Sequence, residues 1–328
     1  MSWYPPPLPS SAGRRYLVTG ANAGLGFFTA ARLAGVGAHV VMSGRSAERL
    51  DAAVSAIRSV LPRWRFPGSA EGSVETIVID QSSLDSVAAG SERLLASAPL
   101  DGVVANAGIV HPPRARRESV DGNELVLATN VLGHFALLGR LLPNLAERAR
   151  IVSLGSLSTR LSTFRVDDLQ LERGYDPWRA YAQSKIATQV IGFELDRRLR
   201  ASGSPVLSVV AHPGYSIGGR TPTVPGVNEP SRGKRFADAF QAPFAQGKHR
   251  GAEIVLHALT APEVESGQYW GPRLRTRGEP TLQVPTRVST DPVIGARVWA
   301  FAEQATRRAF EVPLGGAQRP PFDGAPGS

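Results

Sequence analysis

Short apolar runs alternate with amphipathic stretches along most of this chain. Strand-like runs occupy 14–19, 39–43, 74–80, 101–106, 150–156, 205–212 and 266–270. Between them apolar positions recur at helical spacing, which predicts helices near 25–36, 46–60, 83–97, 121–145, 178–201 and 248–260, with a further helical patch near 292–309. Strands that are apolar throughout, each followed by a helix, belong to a parallel sheet covered on both faces. Right-handed crossovers then give an α/β, doubly wound sheet in three layers. Residues 61–73 read as a surface loop. Residues 213–247, rich in Gly, Pro and Arg, are too long for idle coil in a compact domain and read as a functional lid. The expected organisation is a flexible arm over 1–13, one domain over 14–275 that includes 213–247, and a C-terminal extension over 276–328, partly disordered.

Composition narrows the chemistry. The 328 residues are 42% hydrophobic and 20% charged, enough for a large core. There is no cysteine, which excludes disulfides, thiolate catalysis and cysteine-bound zinc. None of the six histidines sits in a metal-binding spacing, so no metal is expected. The net charge of +9 suggests anionic partners, but the arginines are dispersed and no basic segment is interleaved with aromatics, so no nucleic-acid partner is expected. Three of the 37 basic residues are lysines (Lys185, Lys234, Lys248) and the rest arginines, so a lysine at 185 points to a specific need for one. No run of 18 apolar residues and no secretory pattern occur, so a cytoplasmic protein without a membrane span is the expectation.

The first strand runs into Thr19-Gly20-Ala21-Asn22-Ala23-Gly24-Leu25-Gly26 and then a helix. Glycines at such a turn let the backbone approach a pyrophosphate, and the helix N-terminus offers free N–H groups to it. This predicts a dinucleotide-binding Rossmann fold with Gly20, Asn22, Gly24, Leu25 and Gly26 at the cofactor. After the second strand no acid stands between 41 and 47, while Arg45 is present. An acid there would bind a ribose 2′-hydroxyl and repel a 2′-phosphate, whereas a guanidinium pairs with it. NADP(H) is therefore the preferred cofactor, with NAD(H) as the other candidate.

Tyr181 and Lys185 stand four residues apart in a predicted helix, so both point to one side. A phenol titrates near pH 10, too high for a neutral-pH base, and a nearby ammonium lowers it. Tyr181 can then pass a proton to or from a substrate oxygen.

The glycine spacing and the Tyr-x-x-x-Lys pair together resemble the short-chain dehydrogenase/reductase family in its single-domain form. The runs Tyr175–Tyr181 and Thr129–Phe135, with His212-Pro213-Gly214, resemble most the retinol dehydrogenase and WW-domain oxidoreductase branch, and the preference for Arg over Lys with abundant Ala, Gly and Pro suggests a bacterial source. The resemblance implies further roles. Asp80 and Gln81 would hold the adenine ring. Asn106, Ala107 and Gly108 would brace the sheet and line the cofactor cleft. Lys185 would also bind the nicotinamide ribose, and Pro213, Gly214 and Ser216 (or Thr221) would lie at the nicotinamide end. Ser156 would be the catalytic serine, with Ser153 and Ser158 as competitors, and Asn130 would anchor a proton-relay water. The activity implied is interconversion of a hydrophobic alcohol and a carbonyl. The family is often dimeric or tetrameric through the helices bearing Asn130 and Tyr181; an extension covering that face leaves a monomer open. The alternative is a catalytically silent nucleotide-binding regulator or scaffold of the same fold.

Overall fold

A computed structural model describes residues 6–64 and 69–313. The remainder of the arm, residues 65–68 and the chain beyond 313 lie outside the described residues; residues 61–64, read as part of a loop over 61–73, instead continue the preceding helix to Trp64. The strands are β1 (Arg15–Thr19), β2 (His39–Gly44), β3 (Ser73–Val78), β4 (Leu100–Ala105), β5 (Leu145–Leu154), β6 (Leu207–Ala211), β7 (Ser216–Ile217), β8 (Gln246–Gly247), β9 (Tyr269–Pro272) and β10 (Pro280–Leu282). The helices are α1 (Gly24–Gly35), α2 (Ala47–Trp64), α3 (Leu84–Leu95), α4 (Leu125–Leu127), α5 (Gly133–Leu141), α6 (Pro177–Ala201), α7 (Arg232–Ala239), α8 (Lys248–Thr260), α9 (Arg287–Thr290) and α10 (Pro292–Thr306).

One sheet of eight strands runs in the order β10-β9-β6-β5-β4-β1-β2-β3. Its pairs are parallel except β9 with β10. The central strands β1 and β4 are buried on both faces, as their unbroken apolar runs require. One core lies between the sheet and α1, α2 and α8; a second lies between the sheet and α3, α5, α6 and α10. This is the doubly wound, three-layered α/β fold expected.

Three further features differ from the expected elements. The helix foreseen over 121–145 begins at Leu125, where Glu124 caps it by accepting from Val126 N and Leu127 N. It then widens into a π-helical turn, Ala128–Leu132, before α5. The cause is tertiary: Asn130 in that turn binds the backbone of Ile109. The segment 213–247 holds a small parallel pair, β7 with β8, and α7. Lastly, the extension does not stop at an unpacked edge. β10 adds to the sheet, and α10 places Trp299 against both Phe135 and Phe310, with ring centroids 4.9 Å and 4.7 Å away, in a three-ring cluster. The boundary drawn at 275 thus cuts through one core.

The stretch Leu125–Asn144, at a mean hydropathy of 1.6, is long and apolar enough to cross a membrane, but 83% of its most apolar window is buried inside the protein. Its apolarity is accounted for by its position between the sheet and α3, α6 and α10.

Trp299 is 1% exposed, with the Arg198 guanidinium 4.4 Å from its ring centroid. Trp299→Ala should lower the unfolding free energy by about 3–5 kcal/mol. Urea denaturation checks this, and a loss below about 1 kcal/mol would show that the extension packs only loosely.

Candidate functional site

The parallel strands end on one edge of the sheet. Beside β1 lie β2 and β3 on one side, and β4, β5 and β6 on the other. The reversal opens a crevice between the loops that follow β1 and β4. Gly20 and Gly24 hold φ of +64° and +60°, a region that favours glycine. A Cβ on Gly26 would stand 2.6 Å from the Gly20 carbonyl oxygen and 2.5 Å from Asn106 Nδ2, so α1 starts this close to the strands only because residue 26 is glycine. Ala23, ahead of α1, supplies no side-chain cap. The first amides of α1, those of Leu25 and Gly26 among them, therefore look to an outside acceptor, and the positive end of the helix dipole favours an anion. This cradle fits a dinucleotide phosphate.

Behind the cradle sits Thr19. Its hydroxyl accepts from Asn106 N and Ala107 N, both at 2.9 Å, and lies 2.9 Å from His134 Nε2. His134 Nδ1 is 3.2 Å from the Asn130 carbonyl oxygen, which can only accept. Nδ1 therefore carries the proton, and the one Thr19 hydroxyl proton has two acceptors in reach, the bare Nε2 and the Val104 carbonyl at 3.2 Å. Burial holds His134 down at about 4, with the Lys185 charge acting in the same direction, so the ring is neutral. Asn106 donates to the Thr19 carbonyl at 2.6 Å and braces the loop. Ala107 packs where a Cβ on Gly20 would be 2.8 Å from its Cα, and Gly108 makes room for the Asn130 amide. Both amide hydrogens of Asn130 are used, on the Ile109 carbonyl and on Ser184 Oγ. Ser184 in turn donates to the Tyr181 carbonyl.

Asp176 caps α6 by accepting from Arg179 N, and Pro177 starts it. Within α6, Tyr181 and Lys185 share a face. Tyr181 Oη donates to Ser156 Oγ at 3.2 Å. Ser156 follows β5 and also accepts from Ser158 N. Both its lone pairs are used and its own proton is left to donate. The competitors are placed elsewhere: Ser153 packs against Gly192 inside β5, and Ser158 Oγ is buried with no hydrogen bond among the described residues. Lys185 Nζ donates to the Leu154 carbonyl at 2.8 Å, and burial pushes it down to about 8. Burial raises the Tyr181 phenol, and the Ser156 hydrogen bond pulls it partly back. In this geometry the groups acting on the phenol are those two, not the lysine expected to lower it.

Arg45 is exposed just beyond β2. Arg49, one helical turn on in α2, reaches Asn22 from Nη2 at 3.2 Å and Nε at 3.3 Å once the Asn22 amide oxygen is turned toward it. Asp80 folds its carboxylate into its own turn, accepting from Ser82 N and Oγ. The Gln81 amide is buried against Gly133 without a hydrogen bond among the described residues, so its side chain is not brought to the crevice. At the far end, Gly214 (φ +67°) packs on the Thr276 carbonyl, and Ser216 Oγ donates to the Pro213 carbonyl at 2.9 Å. Thr221 is taken by capping α8, accepting from Lys248 N at 2.8 Å. The roles of the Thr19 hydroxyl, His134 and Arg49 were not foreseen. Two of them had a signal in spacing, since His134 follows Asn130, and Arg49 follows Arg45, by one helical turn.

The crevice, its glycine cradle and the Ser–Tyr–Lys cluster define a nicotinamide-dependent oxidoreductase. The family described as short chain dehydrogenase matches residues 14–216, and the chain belongs to that family. Polyprenol dehydrogenase of Mus musculus is 35% identical over 316 residues, spanning 90% of this chain and 84% of that protein. Retinol dehydrogenase 14 of Mus musculus is 34% identical over 266 residues, spanning 79% and 78%. Among solved structures, a protein of Mycobacterium Paratuberculosis superposes with a TM-score of 0.75 at 32% identity, covering 95% of this chain and all of that one. A short chain dehydrogenase from Burkholderia cenocepacia in complex with NADP superposes at 0.56 and 25% identity, covering 78% and 98%.

His134 makes stability depend on pH. Unfolded, a histidine takes up its proton near pH 6.5; folded, this one does so at about 4. Between the two values the unfolded chain binds more protons, so this contribution is full above about pH 6.5 and is lost as pH falls toward 4. It amounts to about 3 kcal/mol. His212 and His249, also held at about 4 by burial, add to the fall. Urea unfolding of the wild type and of His134→Asn at pH 7 and pH 5 isolates the term: the variant should lose less on acidification, and an equal loss would refute it.

Proposed function

We propose that this chain interconverts an alcohol and a carbonyl with NADP(H), Tyr181 passing the proton and Ser156 holding the reacting oxygen. The observation that carries the reading is the Tyr181 Oη–Ser156 Oγ contact of 3.2 Å beside the buried Lys185. When bound, the nicotinamide supplies or accepts the hydride. The residues that would hold the nucleotide are Gly20, Asn22, Gly24, Leu25 and Gly26 at the phosphates, Asp80 at the adenine side, Asn106, Ala107 and Gly108 along the crevice, and Pro213, Gly214 and Ser216 at the nicotinamide end.

Ser156 offers its free proton to the substrate oxygen. A phenol raised by burial carries its proton at neutral pH, the state needed to donate to a carbonyl oxygen. Arg45 and Arg49 supply the charge that suits a ribose 2′-phosphate, and the NADP complex of the Burkholderia cenocepacia relative agrees with that choice. A hydrophobic substrate fits the surroundings of the tyrosine: Trp178 is 51% exposed with its ring centroid 6.3 Å from that of Tyr181.

Titration with NADPH and NADH, followed by nicotinamide fluorescence, tests the cofactor. NADPH should bind more tightly, and Arg45→Ala should weaken NADPH roughly 10- to 100-fold while leaving NADH unchanged. Tyr181→Phe should keep NADPH binding and lose at least about 100-fold in turnover of apolar aldehydes or ketones. Wild-type protein that binds NADPH but reduces no carbonyl would favour the silent scaffold instead.

A further inference from the structure

The three lysines have different surroundings. Lys185 lies in the catalytic cluster on the Leu154 carbonyl, and Lys234 pairs with Asp238 at 3.1 Å. Lys248, the first residue of α8, is half-buried, and among the described residues its ammonium makes no hydrogen bond or ion pair. It is also far from being a loose surface chain. Its backbone N–H is bound to Thr221 Oγ1, and Gly251, one turn on, packs where a Cβ would be 2.8 Å from Leu25 Cδ2. Deeper in the same helix pair, Glu253 of α8 meets Arg32 of α1 at 3.3 Å. The start of α8 is thus fixed beside the start of α1. The lysine then lies across the glycine cradle: a Cβ placed on Gly24 would be 3.7 Å from Lys248 Cδ and 3.8 Å from its Nζ.

We propose that Lys248 is a cationic arm that grips the diphosphate of the dinucleotide from the side opposite the α1 amides. This rests on the reading of the glycine cradle as a nucleotide site. Half-burying a cation without a counter-charge is unfavourable unless a bound anion offsets it. The acid that acts on Lys248 by charge, Asp238, is already used by Lys234 and by Gly219 N at 2.7 Å. Lysine suits a diphosphate as a compact point charge, and in a chain that otherwise uses arginine its retention here has a reason. Lys248 directly follows the segment 213–247 and is tied to it through the bond from its backbone N–H to Thr221 Oγ1.

The diphosphate is common to NADPH and NADH, whereas the 2′-phosphate is not, and this separates the two sets of cations. Fluorescence titrations of both nucleotides against wild type, Lys248→Met and Lys248→Arg, at low and high salt, make the test. Lys248→Met should weaken NADPH and NADH by the same factor, roughly 10- to 100-fold, and reduce the salt sensitivity of both. Lys248→Arg should retain most of the affinity, and nucleotide-free Lys248→Met should melt at or above the wild-type temperature, since it removes a cation that lacks a counter-charge. If Lys248→Met does not fold, Lys248→Gln is titrated in its place. Unchanged binding of both nucleotides, or a loss confined to NADPH, overturns the assignment. Wild-type protein that binds neither nucleotide overturns the cradle reading and this inference with it.

Discussion

The hydroxyl of Thr19 has one proton and two lone pairs, and all three are engaged. It holds the ends of β1 and β4 together through Asn106 N and Ala107 N and ties both to the helix behind them through His134. From His134 the hydrogen bonds continue through the Asn130 carbonyl, the Asn130 amide and Ser184 to the Tyr181 backbone. The glycine cradle and the catalytic helix are therefore two ends of one buried, neutral network. In a low-dielectric interior such a network is rigid when every member is satisfied. The π-helical turn aids this by aiming the side chain and the carbonyl of Asn130 at different partners.

Charge is arranged around that network rather than in it. The interior keeps His134 neutral and the Tyr181 phenol protonated, and leaves Lys185 as the cation at depth. The remaining cations of the site stand at its margins: Arg45 and Arg49 by the second strand, Lys248 over the cradle. Such a distribution attracts an anionic ligand while leaving the chemistry at the core to hydrogen bonds.

The sheet and the major helices were legible because both faces of the parallel strands are covered, which writes unbroken apolar runs into the chain. The glycine turn and the Tyr181–Lys185 pair were legible because each is set by local spacing. What could not be read depends on contacts between distant segments. The π-turn follows from Asn130 capturing Ile109, and helical periodicity does not report an inserted residue. Gln81 carries a motif position, yet the close approach allowed by Gly133 buries its amide away from the crevice. Lys248 reaches Gly24 across more than 200 residues of sequence. The extension read as peripheral because its polar and Pro/Gly-rich composition conceals Trp299, whose partners Phe135 and Arg198 lie far back in the chain.

That extension alters what the catalytic helix leans on. α10 lies on the outer face of α6 and α5, with Trp299 under Arg198 and against Phe135. The support on this face comes from the same chain, covalently attached to the helix it backs. The support of the tyrosine helix through this face is thus a unimolecular property, indifferent to dilution, where a subunit contact would come and go with protein concentration.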